Sequence, residues 1–224
     1  MTLDIFAAFK PGATDGQPGG GAFEIPTQSF KVDANKARQR AIRKKMIQPR
    51  NAEPLLAELL QMENEGDRLH AVMGGNFVFG DLLAMLAQKK PVRLMTISTL
   101  SMSAKNCESL VECLKREEIQ ILHLLVSHYF VNSNPREREI LQAARKAMGE
   151  ERCFLGVART HTKICLAEFL DDEKKLVIEA SANLRSSDNI EQMSCFLDSD
   201  LYEFHRTWIT KLMIEKKERS RIEG

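Results

Sequence analysis

At 224 residues and 43% hydrophobic, the chain can bury one good core, since a domain of this size hides roughly 70% of its unfolded surface. A net charge of +1 excludes a uniformly basic nucleic-acid binder, and no stretch approaches the ~18 apolar residues of a membrane span. Five scattered cysteines (Cys107, Cys113, Cys153, Cys165, Cys195), an odd number with no CxxC, point to neither a disulfide framework nor a zinc site.

The N-terminal residues lack the basic and apolar regions of a secretory signal, so a cytoplasmic protein without a membrane partner is expected. Residues 10–28 concentrate glycine and proline (Gly12, Gly16, Gly19, Gly20, Gly21, Pro11, Pro18, Pro26), a composition that supports no packed core. Asp33 then caps a predicted helix, ANKARQRAIRKKM, with a thin apolar stripe at Ala37, Ala41, Ile42 and Met46. Residues 31–50 carry eight Lys or Arg against the single acid Asp33, a run that is either a phosphate-binding arm or a solvated helix face. The expected division is a flexible N-terminal arm with a basic helix over 1–50 and one domain over 51–224.

From Pro54, PLLAELLQMENE reads as a helix with proline in its first turn. The pattern then alternates: LHAVMG a strand, NFVFGDLLAMLAQ a helix, VRLMTIS a strand, AKNCESLVECLKRE a helix with Leu110, Val111 and Leu114 inward. IQILHLLVS is a buried strand, and Asn132-Ser133-Asn134-Pro135 opens the helix PREREILQAARKAMG. This rhythm predicts parallel strands with helices packed on a sheet. In the last third, RCFLGVARTHTKICLAEF and KKLVIEASANL are extended segments joined by the turn Leu170-Asp171-Asp172-Glu173, a hairpin signal. A closing helix from Asp200 to about Glu218 presents Leu201, Phe204, Trp208, Ile209, Leu212 and Met213 at helical spacing. No internal repeat is visible.

Within the predicted hairpin, His161 and Lys163 lie two apart in an extended segment and so share one face. Ser181 and Asn183 are two apart on the other arm, where the small Ala180 and Ala182 let a ligand approach the backbone. The four polar groups can therefore converge on one ligand.

These residues resemble the motif of the phospholipase D-like (HKD) superfamily: HxK, four residues, aspartate, then glycine-serine-x-asparagine, often followed by Asn-x-Glu. Here the chain reads His161-Thr162-Lys163, four residues, Glu168, then Ala180-Ser181-Ala182-Asn183, then Asn189-Ile190-Glu191. The likeness spans about residues 66–210, and SANLRSSDNIEQ is similar to the short single-motif proteins of phages and prophages and to phospholipase D-type nucleases. Glu168 stands where the family has aspartate, Ala180 where it has glycine, and the spacer between them is longer.

The resemblance implies an α/β fold, a phospholipase D-like sandwich with a mixed β-sheet and helices on both faces. It implies a metal-independent phosphodiesterase with no cofactor. A neutral imidazole, His161, attacks phosphorus to form a phosphohistidine; a second histidine protonates the leaving oxygen and then activates water. Lys163 and Asn183 would hold the non-bridging oxygens, Ser181 would order the phosphate or the nucleophile, and Glu191 would orient an imidazole N–H. One motif copy in a chemistry needing two histidines implies a homodimer.

A nuclease is expected, with nucleic acid as substrate or ligand. The departures at Glu168 and Ala180 keep open a binding module without turnover, and lipid phosphodiesters are a third substrate class. Of the other histidines, His123 reads as a hydrogen-bonded core residue, His128 as a strand-end residue with the cleft lining as its lesser alternative, and His70 and His205 as structural or surface. Phe77 and Phe79 read as core.

Overall fold

The computed structural model describes residues 42–48, 51–74, 78–185 and 189–222, with side chains of the final helix as far as Glu215. The expected N-terminal arm and most of its basic helix (1–41, 49 and 50) lie outside the described residues, as does Phe77.

The chain runs β1 (Lys44–Ile47), α1 (Ala52–Leu59), β2 (Arg68–Met73), α2 (Phe79–Lys89), β3 (Val92–Thr99), α3 (Ala104–Lys115), β4 (Ile119–Ser127), α4 (His128–Ser133) and α5 (Pro135–Met148). It continues with β5 (Cys153–Ala158), β6 (Ile164–Phe169), β7 (Lys175–Ala180), β8 (Glu191–Leu197) and α6 (Ser199–Ile222). The strands form one eight-stranded sheet in the order β1-β2-β8-β7-β6-β3-β4-β5. It is mixed: β1 with β2, and β3 with β4 and β4 with β5, are parallel, while β2–β8, β8–β7, β7–β6 and β6–β3 are antiparallel.

Helices cover both faces. On one side, Leu55 of α1, Leu82 and Leu86 of α2, Leu110 and Leu114 of α3 and Leu141 of α5 pack on Leu69, Met95, Leu124, Cys165 and Ile178. On the other, α6 lays Tyr202, Ile209 and Met213 over Leu125, Ile164, Leu166 and Val177. Coverage from both sides is why β6 is buried at every position and reads as an apolar run. In β2 the residues alternate: Leu69, Ala71 and Met73 are buried, and His70 and Val72 exposed. The mixed α/β fold with helices on both faces is the architecture expected from the sequence.

Three local readings are corrected. The basic helix expected through Met46 ends differently, because Lys44–Ile47 is an edge strand paired with β2. There Arg43 bonds Glu58 at 2.5 Å and Lys45 lies 3.4 Å from the same carboxylate, so these two cations are engaged within the fold. Asp67, buried, ties this entry down by accepting the backbone N–H of Arg43 (2.7 Å), Glu63 (2.9 Å) and Asn64 (3.0 Å). The second correction concerns 152–169, expected as one extended segment: it is two strands. β5 is the sheet edge beyond β4, and β6 lies between β3 and β7, so residues 159–163 must cross the ends of β4 and β3. Three interstrand steps span roughly 14 Å, and six Cα steps reach at most about 20 Å, so the link crosses without being fully stretched. Third, α4 and β8 had no counterpart in the sequence reading. Phe79 is buried as expected. His123 is half-buried rather than core, with its ring edge-on to Phe154 at 5.9 Å.

No described helix is long and apolar enough to cross a membrane.

Candidate active site

Strand register decides which residues can meet. Ser127 pairs with Ala158, Ser98 with Ile164, Ile164 with Glu179, Ala180 with Met193, and Met73 with Glu191. One end of the sheet therefore collects the C-termini of β2, β3, β4, β5 and β7 and the N-termini of β6 and β8. His161 and Lys163 sit in the link 159–163, Ser181 and Asn183 directly after β7, and Glu191 opens β8. His128, the first residue of α4, is exposed at this same end.

His161 and Lys163 are loop residues, not strand residues, so the shared strand face expected for them is not what joins them. The loop satisfies its backbone locally, with Thr160 N–H donating to the Ala158 carbonyl (3.1 Å) and Thr162 N–H to Thr160 Oγ1 (3.3 Å). Lys163 then folds back on His161: its Nζ is 2.9 Å from Nδ1 and donates to the His161 carbonyl at 3.0 Å. His161 itself is exposed. Burial pushes the Lys163 ammonium below its ordinary 10.5, and the negative charge of Glu191 works against that shift.

The second pair is Ser181 with Glu191. The Ser181 hydroxyl donates to Glu191 Oε2 and accepts the Gln192 N–H at 3.0 Å, while Ser181 N–H donates to the Gln192 carbonyl at 3.0 Å. The two pairs are stitched together by Ala180 N–H donating to the Lys163 carbonyl at 2.9 Å and by the Lys163–Glu191 attraction. Asn183 is anchored through its neighbour, since Leu184 bridges Met102, accepts from Ser103 N–H (2.8 Å) and donates to the Ser101 carbonyl (3.2 Å). Its Oδ1 is buried and has no hydrogen-bond partner among the described residues, an unmet acceptor of the kind that costs ~1–3 kcal/mol when left so.

Glu168 belongs elsewhere. It lies near the other end of β6, where its carboxylate accepts the Tyr202 hydroxyl at 2.8 Å and pairs with Lys175 at 2.8 Å and with Arg93. His205 is also committed: its Nδ1 accepts Trp208 Nε1–H at 3.1 Å, so Nε2 carries the proton given to Glu179 Oε1 at 2.8 Å. His70 is bound to Ser194 Oγ at 2.9 Å. A groove of about 550 Å³ lined by Met46, His70, Val72, Gln192 and Ser194 borders the site through Gln192 but does not include His161.

Two groups were invisible to the sequence reading. Ser98, fully buried at the end of β3, places its hydroxyl 2.6 Å from Thr162 Oγ1 and 3.4 Å from Thr160 Oγ1, which are themselves 2.8 Å apart. Ser127 Oγ donates to the Leu100 carbonyl at 2.6 Å and accepts Phe130 N–H at 3.0 Å, turning the chain from β4 into α4. A serine inside an apolar strand was the one available signal for each.

By sequence, no protein-family model and no curated protein matches the chain. By structure it is similar to a phospholipase D family member, Nuc from Salmonella typhimurium, at 13% identity and a TM-score of 0.45, over 68% of this chain and 95% of that one. It is similar to NucT from Helicobacter pylori at 14% identity and a TM-score of 0.42, over 67% of this chain and 98% of that one. It is similar as well to TrmBL2, an archaeal chromatin protein, at 16% identity and a TM-score of 0.41, over 70% of this chain and 58% of that one.

Proposed function

We propose that the chain is a metal-independent phosphodiesterase of the phospholipase D-like superfamily, a nuclease with His161 as nucleophile in a site completed by a second copy of the chain. The observation that carries the reading is the contact of Lys163 Nζ with His161 Nδ1 at 2.9 Å, on the sheet end that also bears Ser181, Asn183 and Glu191.

That contact has a consequence for the proton. While the Lys163 ammonium donates to Nδ1, a neutral ring carries its hydrogen on Nε2. Attack on phosphorus needs Nε2 bare and the hydrogen on Nδ1. An arriving phosphodiester draws Lys163 onto its non-bridging oxygens, which frees Nδ1 to take a proton from water as Nε2 releases its own to water, and Asn183 offers a second donor through its amide. In a twofold dimer the neutral His161 of one copy attacks while that of the other, as the doubly protonated imidazolium, gives its Nε2 proton to the leaving oxygen and becomes neutral. Only one HxK is present in the chain, so the pair of histidines requires two subunits. The N-terminal segment over 1–50, with its basic run, is a candidate contact for the polynucleotide backbone.

The test is turnover of DNA and of bis(p-nitrophenyl) phosphate in the presence of EDTA. His161→Ala lowers the rate by more than about 10⁴-fold, the scale of removing a covalent nucleophile, and acid-labile phosphohistidine is trapped on the wild type alone. Turnover that survives His161→Ala, or appears only with added magnesium, overturns the chemistry. Salt-dependent nucleic-acid binding with neither turnover nor trapping selects instead the binding module favoured by Glu168 and Ala180.

A further inference from the structure

The imidazole of His161 is exposed, and it sits on a link between strands, the kind of segment that is ordinarily mobile. Reacting groups must nevertheless be held within about 0.5 Å of their productive geometry. Lys163 steadies the ring, but a phosphodiester would draw Lys163 away at the moment of reaction. Something else must hold the loop.

The residues on either side of His161 supply it. Thr160 and Thr162 both turn their hydroxyls to Ser98 Oγ, at 3.4 and 2.6 Å, and to each other at 2.8 Å. Ser98 lies in β3, an interior strand flanked by β6 and β4, and has no exposed surface. A rigid element therefore grips the loop one residue before and one residue after His161. Both threonines are chain neighbours of His161, so a shift at either is passed to the histidine between them.

We propose that Ser98 is a positioning residue for His161, acting through the hydroxyls of Thr160 and Thr162. The proposal rests on the reading of His161 as nucleophile. Ser98 touches no reacting atom; it fixes where the imidazole stands when Lys163 has left it. Its loss lowers the fraction of encounters in which Nε2 is in line with phosphorus and leaves the phosphate-binding groups in place.

Ser98→Ala and Ser98→Thr are compared with wild type by steady-state turnover of bis(p-nitrophenyl) phosphate and by nitrogen-15 NMR of the histidine rings, the His161 signal assigned with His161→Ala. In Ser98→Ala, kcat falls about 10- to 100-fold, the scale of a misplaced reacting group, while KM stays within about twofold. The His161 signal broadens or splits. Ser98→Thr, which keeps the hydroxyl, restores both. An unchanged His161 signal in Ser98→Ala, a loss confined to KM, or failure of threonine to restore kcat overturns the assignment. Absence of turnover in the wild type defeats the phosphodiesterase reading, and the grip on His161 is then judged by the ring signal alone.

Discussion

The β6–β7 hairpin carries ionic groups at both of its ends, and the two ends treat them oppositely. At the turn end, Glu168 is nearly buried yet receives Tyr202, Lys175 and Arg93. Asp172 takes Lys90 at 2.6 Å and the Lys174 N–H at 2.7 Å, and Lys90 also lies 4.0 Å above the Phe169 ring. At the open end, His161 is exposed, Lys163 has a ring nitrogen for its nearest partner, and Asn183 Oδ1 is buried without one. Burial works to raise Glu168, but Lys175, Tyr202 and Arg93 outweigh it and hold the carboxyl below its ordinary 4.5. At Lys163 burial prevails, and the ammonium is pushed down. Polar groups completed inside the fold serve stability; groups left incomplete at a surface are where a ligand can supply what is missing.

The sharpest way to break this contrast is to remove one lysine at each end. Lys163→Met is expected to lower kcat by about 10²- to 10³-fold, as loss of one transition-state donor does, with the unfolding midpoint nearly unchanged. Lys175→Met is expected to do the reverse. It leaves Glu168 with one fewer partner in a site that is largely out of solvent, a loss of about 3 kcal/mol, the low end for breaking a buried pair. Its activity should stay within a few fold. Initial rates and denaturant unfolding on both variants decide the matter, and an exchange of the two phenotypes would overturn the division of labour.

Much of this contrast was open to sequence reasoning, and its gaps have physical causes. The strands of the central sheet are apolar runs because both faces are covered, and the acidic turn at 170–173 marks the hairpin. His161, Lys163, Ser181 and Asn183 are singled out by their resemblance to the phospholipase D-like motif, since an HxK pair alone occurs by chance. What spacing could not reveal is the break at 159–163, since Cys153–Phe169 carries strand-forming residues on both sides of it. That break follows from β5 lying at the sheet edge and β6 in its interior, a non-local fact. β8 did leave a local trace: Met193, Cys195 and Leu197 alternate with Gln192 and Ser194. Ser98 left only a polar residue within an apolar strand and Asp67 no trace, because their partners are distant in sequence: Thr162 for the one and Arg43 for the other.

Acid tests the paired carboxylates by a second route. Asp67, Asp172, Glu179 and Glu168 are all held below their ordinary values. At Asp67 burial acts upward, but the N–H groups of Arg43, Asn64 and Glu63 prevail. A carboxyl whose folded pKa lies below its unfolded one binds more protons when unfolded. Its stabilisation is therefore complete above the unfolded value and is lost as pH falls through the folded one. The urea midpoint should accordingly drop between about pH 5 and pH 3. Glu168→Gln, less stable at neutral pH, should show a shallower drop, and an equal slope in the two proteins would remove Glu168 from the account.

The smallest expected effect tests whether the turn end works as a network or as separate pairs. Arg93 pairs with Glu168, but its side chain is 56% exposed, so water screens the attraction and solvates the guanidinium when the contact opens. With Arg93 gone, Glu168 still has the Tyr202 hydroxyl and Lys175. Arg93→Ala should therefore cost under about 1 kcal/mol and leave turnover unaltered. A loss matching that of Lys175→Met would mean that the three partners hold Glu168 cooperatively. A fall in kcat would mean that β3, which carries both Arg93 and Ser98, transmits strain from the turn end to the loop of His161, and the two ends would no longer be independent.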